Sequence, residues 1–173
     1  MNLISTFWLV LALALSIAVA TLLIANKIRG TSVEQADRLA ITEVMARYAL
    51  YWDDKDARQF ANLFTEDAVL ELWADGDRRS RTNGRASIYD YAKRSHGGRL
   101  ADRQTRHHLS PPVFIELNAN TAVTDQLVLI THQTLTQGRA EISGSGRYRI
   151  AWRKTDDGWQ IAERTLNTDN RPL

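Results

Sequence analysis

Cysteine is absent from all 173 residues. That excludes disulfides, thiolate metal sites and a cysteine nucleophile, and leaves the redox compartment open. Proline is scarce, at three residues, two of them adjacent at Pro111-Pro112. No excess of one charge sign exists either: 22 Lys and Arg face 20 Asp and Glu, for a net charge of +2. The two signs are interspersed, and no basic stripe alternates with aromatics, so a nucleic-acid partner is not expected. HExxH, a Gly-rich phosphate loop and GxSxG are all missing, so no metal and no cofactor are expected. Internal repeats and low-complexity tracts are missing as well.

One long apolar run is present. Residues 3–25, LISTFWLVLALALSIAVATLLIA, carry no charged side chain over 23 positions. About 20 apolar residues cross a bilayer as a helix. A signal peptide has basic residues in front and an apolar core of roughly 7–15 residues. This run has no leading basic side chain and is longer, so it reads as a retained single-pass membrane anchor. Ala18-Val19-Ala20 resembles a cleavage site, which keeps a cleaved signal, with a periplasmic or secreted domain, as the alternative. Lys27 and Arg29 follow the run and, by the positive-inside rule, place the domain on the cytoplasmic side. The organisation is then residues 1–30 as anchor or signal, 31–167 as one folded domain, and 168–173 as a polar tail.

Gly30-Thr31-Ser32 breaks the apolar pattern, and Ser32-x-x-Gln35 fits a capping box. A helix is predicted from there to about Trp52, with Val33, Ala36, Ala40, Val44, Tyr48 and Tyr51 as its apolar stripe. A short helix over 56–64 follows, with Asp56 as its cap. Ala68 to Trp73 alternates as a strand. Asp75 to Gly84 is polar, with five charges, and reads as a mobile surface loop. A third helix covers Gly84 to about His96, with His96 in a polar Ser-His-Gly-Gly loop. From Thr105 the period becomes two. Strands are predicted over 105–117, interrupted at the proline pair, then over 121–136, 141–154 and 159–166, with a hairpin turn at Asp156-Asp157-Gly158. Three helices and one early strand before an antiparallel meander make an α+β plan, with the helices packed on one face of a curved sheet.

The runs DRLAITEVMARYALYWDDKD, LFTEDAVL, GRASI, RHHL, GRYRIAW and DDGWQIAER resemble the SnoaL-like group of the nuclear transport factor 2-like superfamily. The likeness covers about residues 36–166. It implies a cone-shaped α+β barrel enclosing a hydrophobic pocket, with homo-dimers or homo-trimers formed through the outer sheet face. Within the superfamily, the pattern is similar to the scytalone dehydratase and bile-acid 7α-dehydratase type. That resemblance implies a catalytic set of Tyr48, Asp53 and His107, with His108 as the neighbour that could replace His107. It also implies a second pocket histidine at His132 and a late arginine at Arg164. Gly146 and Tyr148 stand where scytalone dehydratase has Ser and Asn, and Leu72 or Trp73 stands where it has a second Tyr. Trp52, His108, His132, Tyr148 and Arg164 are the expected substrate-binding residues.

The chemistry fits such a set. A histidine carries protons near neutral pH. A carboxylate on one ring nitrogen fixes its tautomer. A tyrosine hydroxyl can stabilise an enolate. The expected function is a dehydratase-like lyase or isomerase acting beside a carbonyl on a small lipophilic ring compound. The alternative is a non-catalytic ligand-binding or scaffolding module. A third reading, epoxide hydrolysis, would need Asp53, Arg164 and Asp125 together. Residues five apart on a helix are turned by about 500°, so Tyr48 and Asp53 can serve one site only if the helix ends near Trp52.

Overall fold

The computed structural model describes residues 3–134, 136 and 138–169. The chain divides into two compact units, Met1–Leu39 and Ala40–Leu173, and the first helix, α1 (Leu3–Asp53), contributes to both.

In the first unit the helix is long and apolar enough to cross a membrane, by length and composition. Its large apolar side chains, Leu22, Leu23, Ile24 and Ile28 among them, are exposed. The break expected at Gly30-Thr31-Ser32 does not occur, and neither does the capping box, because helix runs through these positions. Within the helix, Thr31 donates its Oγ1–H to the Lys27 carbonyl at 3.0 Å.

The second unit holds the folded domain. Its part of α1 buries Ile41, Met45, Tyr48 and Trp52, spaced by four, three and four residues, which is one stripe of a helix. The stripe is thus rotated from the expected one: Ala40, Val44 and Tyr51 only flank it, and Val33 in the first unit is exposed. α1 then stops in a Schellman arrangement. The Lys55 N–H bonds the Trp52 carbonyl at 3.0 Å and the Asp56 N–H bonds the Tyr51 carbonyl at 2.8 Å, with Lys55 left-handed at φ 60°. Asp53 is therefore the last helical residue. Asp56 caps α2 (Ala57–Asn62), accepting from the Gln59 N–H at 2.9 Å.

β1 (Phe64–Ala74) and β2 (Asp77–Asn83) form a hairpin where a loop was expected. Asp75 and Gly76 both take positive φ, as a two-residue type I′ turn demands. α3 (Arg85–Gly97) follows and buries Ile88, Ala92, Ser95 and His96. His96 is thus a buried helical residue and not part of a polar loop. The remaining strands are β3 (Arg103–Leu109), β4 (Val113–Leu117), β5 (Thr121–Thr134), β6 (Glu141–Thr155) and β7 (Gly158–Thr168). The proline pair separates β3 from β4, and both pair with β5. The predicted end of β5 at Thr136 includes Leu135, which lies outside the described residues, as do residues 170–173 of the expected tail.

The sheet order is β2-β1-β7-β6-β5-β3, with β4 also on β5. Every pairing is antiparallel except β1 with β7, which is parallel, so the expected all-antiparallel sheet is corrected there. β7 completes the meander and β1 enters from the helices in the same direction. Register shifts skip Arg79 in β2, Ser143 in β6 and Ala162 in β7, bulges that bend strands and sharpen twist. The result is a mixed α+β domain with a curved, unclosed sheet. Its core joins Tyr48, Phe60 and Phe64 to Tyr148, Ile150, Trp152 and Ile161. Glycine is obligatory at Gly146: a Cβ there would stand 2.3 Å from the Asn167 carbonyl oxygen.

Candidate functional site

A cavity of about 440 Å³ lies within the second unit, walled by α1, α3 and the curved sheet. Strand parity decides which side chains reach it. On β3, Thr105 and His107 share one face, while Arg106 and His108 take the other. His107 lines the cavity. His108 is exposed, with Nε2 3.2 Å from Thr131 Oγ1, so its expected place among the substrate-binding residues is corrected by alternation. In the β3–β5 register Thr105 stands opposite His132 and His107 opposite Ile130. This puts His132 on the same face as His107, and it lines the cavity too.

The end of α1 brings Asp53 under β3. Its Oδ1 lies 2.7 Å from His107 Nδ1 and its Oδ2 accepts the His107 backbone N–H at 2.8 Å. Thr105 adds its hydroxyl to Oδ1 at 2.7 Å, and Gln104 donates to the Asp53 carbonyl at 2.7 Å. Both side chains of the His–Asp pair are only 6% exposed. Burial alone would raise the Asp53 pKa. The His107 ring, its charge, the Thr105 hydroxyl and the His107 amide outweigh burial and hold the carboxyl below its ordinary value. With Nδ1 bonded to Asp53, Nε2 is the ring nitrogen left for the cavity.

Tyr48 reaches the cavity directly, together with Trp52, whereas Asp53 acts only through His107. The helix end therefore reconciles their 500° separation, although the two side chains do not meet. Tyr48 packs edge-on to Tyr148, with ring centroids 5.7 Å apart, and the Arg164 guanidinium lies 5.3 Å from the Tyr148 ring centre. Burial raises the pKa of Tyr48, opposed by the Arg164 charge and the Tyr148 hydroxyl. Burial likewise pushes Tyr148 well up, and its contact with Tyr48 raises it further. The two phenols are thus coupled to each other and to Arg164 in the cavity wall. Arg164 is buried, donates to the Glu71 backbone carbonyl at 2.9 Å, and among the described residues has no partner for its Nε.

Several cavity residues escaped the sequence reading. Glu71, Ser80, Arg99, Leu100, Ser143 and Ser145 line the space. Ser80 arrives on β2, the strand taken for a loop, and Asp75-Gly76 was the hairpin signal that could have revealed it. Thr105, which braces Asp53, left no signal beyond its parity with His107. Asp125 pairs with Arg149 at 3.0 Å, outside the cavity lining, so Asp53, Arg164 and Asp125 do not come together. His96 is buried against Trp52, with ring centroids 4.8 Å apart, and is not part of the lining. Among the described residues no group of three or more His, Asp or Glu could hold a metal ion.

The SnoaL-like domain family matches residues 33–165. No curated protein matches the chain. Solved structures do. A protein of unknown function from Mycobacterium tuberculosis is 28% identical, covers 82% of this chain and 76% of its own, and superposes with a TM-score of 0.69. An NTF2-like protein with a cystatin-like fold from Novosphingobium aromaticivorans is 24% identical over 87% and 90%, with a TM-score of 0.67. A protein from the same organism, provisionally named a scytalone dehydratase, is 22% identical over 83% and 93%, with a TM-score of 0.68.

Proposed function

The chain belongs to the SnoaL-like domain family, and from that premise we propose that its cavity is the active site of a dehydratase-like lyase or isomerase. The substrate is a small lipophilic ring compound with a carbonyl, held against Trp52, Leu70, Leu72 and Leu166. One observation carries the reading: His107, gripped by Asp53 at 2.7 Å, stands in the wall of an open cavity of about 440 Å³. A filled cavity or a separated pair would have favoured a purely binding or scaffolding module.

His107 Nε2 takes the proton α to the carbonyl, and the C–H electron pair moves onto the carbonyl oxygen. Tyr48 donates its proton to that oxygen as a hydrogen bond and stabilises the enolate, with Arg164 behind it. The enolate then collapses. The β-hydroxyl leaves with its bonding pair and takes the proton from His107, departing as water, so histidine ends as it began. Asp53 keeps the ring in one tautomer and stabilises the imidazolium between the two transfers. In an isomerase the same proton returns to a different carbon.

The apolar helix of residues 3–25 tethers this domain to a membrane, in keeping with a lipophilic substrate. Alkaline carbonate extraction of the full chain tests this, since release into the soluble fraction rejects it. For the reaction, the full chain is incubated with fused-ring β-hydroxyketones and loss of water is followed by mass. Turnover that persists unchanged in Asp53→Asn and His107→Ala rejects the assignment.

A further inference from the structure

The charges around the cavity do not cancel. The Glu71 carboxylate is bonded by Arg81 at 2.7 Å and Arg78 at 3.3 Å, and the Trp73 indole N–H adds a third contact at 2.7 Å. Asp53 is taken up by His107. Two guanidiniums of the lining, Arg164 and Arg99, have no carboxylate within 4.0 Å among the described residues. They occupy different settings. Arg164 is buried between two phenols, whereas Arg99 is exposed, just beyond the end of α3. The positive field near Arg99 is legible in His132: burial first, then the charges of Arg103 and Arg99, hold its pKa below the ordinary value, against the pull of Asp53. Arg103 has its own counter-ion, Asp102, at 2.9 Å. Leu72, Leu100, Ile130 and Leu166 supply an apolar lining to the same cavity.

Building on the reading of this cavity as a ligand site, we propose that its ligand is an apolar ring compound bearing one carboxylate, and that Arg99 at the rim selects it. A carboxylate there meets an unneutralised guanidinium without losing all its water, so the contact costs little desolvation. The carbonyl end is left to Tyr48 and Arg164. Leu100, buried beside Arg99, holds the segment in place, so the root of the exposed Arg99 side chain is fixed at the cavity. Such a ligand is amphiphilic, with its acid at the opening and its ring inside.

The probes are 3-hydroxy-1-tetralone carboxylic acids, which carry the β-hydroxyl that leaves as water, and their methyl esters. Their affinity for the full chain in zwitterionic nanodiscs is measured by calorimetry at pH 8 and low salt, corrected for partition into empty discs. The acid binds about fivefold more tightly than its ester, the range of a partly exposed ion pair, and added salt erodes the difference. In Arg99→Gln the preference falls to within about twofold, while Arg99→Lys keeps part of it. Equal affinity for acid and ester, including no measurable binding of either, overturns the proposal. So does an acid preference that survives in Arg99→Gln, because the anion is then held elsewhere. Binding is read without turnover: an Arg99-dependent acid preference with no reaction rejects only the lyase reading. Turnover of ester and acid with equal efficiency rejects only the role of Arg99.

Discussion

The Asp53 carboxylate grips His107 at two points, with Oδ1 2.7 Å from the ring Nδ1 and Oδ2 2.8 Å from the backbone N–H. One side chain thereby sets both the orientation of the imidazole and the height of the strand that carries it. Because Asp53 is the last helical residue before a left-handed Lys55, the grip depends on where α1 stops.

Asp53→Asn preserves shape and removes the charge that selects the Nδ1–H tautomer. Turnover is expected to fall by about 10⁴-fold, the loss that a comparable His–Asp pair shows. The same variant reports on pH. The folded-state pKa of Asp53 is depressed, so its stabilisation is present above the unfolded carboxylate value of about 3.9 and is lost as pH falls through the lower folded value. Urea unfolding between pH 3 and pH 6 checks this: the wild type loses more stability toward pH 3 than Asp53→Asn does.

Tyr48→Phe deletes only the hydroxyl that faces the ligand. A drop of about 10²-fold in kcat is expected from the loss of one oxyanion donor. The melting temperature should fall modestly, because the ring keeps its packing on Phe60 and Tyr148 while the buried Tyr148 hydroxyl loses a side-chain partner. A lower Tm with unaltered kcat would make Tyr48 a core aromatic alone.

Thr105→Val keeps the volume and removes the 2.7 Å bond to Asp53. About 1 kcal/mol of stability is at stake, and the pH profile of kcat should shift because Asp53 loses a donor that favours its charged form. Denaturant melts and a pH–rate series separate the two effects.

Gly146→Ser restores the residue type expected at that position from the family resemblance, yet the added Cβ would stand 2.3 Å from the Asn167 carbonyl oxygen in the neighbouring strand. Strand backbone cannot yield cheaply, and destabilisation of about 2–3 kcal/mol is expected in a thermal melt. His108→Ala is the contrast. Its imidazole is exposed on the outer face, and kcat should remain within about twofold, as for a typical surface substitution.

Much of the fold was legible in advance because period and punctuation carry it. Two-residue alternation marked β3, β5, β6 and β7, and Asp56 announced the cap of α2. β2 was missed because a strand exposed on most positions has no apolar alternation to show. The run through Gly30 was missed because a helix needs no local reason to continue, only the lack of a sufficient penalty. The rotated stripe of α1 has a similar origin. Apolar residues occupy two adjacent faces of that helix, and which face is buried depends on what packs against it.

The division between sequence and tertiary structure follows from range. Sequence by itself determined most of the elements, the class of fold, the family and the histidines, tyrosine and aspartate of the site, since these rest on local spacing and motif. It also showed that only one of His107 and His108 can face inward, without deciding which. Only the tertiary structure decided that Asp53 reaches His107 while Tyr48 reaches the cavity by a separate route. It alone decided that Glu71 is neutralised by Arg78 and Arg81 while Arg99 and Arg164 have no carboxylate partner among the described residues. Those facts depend on register and on groups tens of residues apart, where charge and hydrogen bonding act through space and leave no period in the chain.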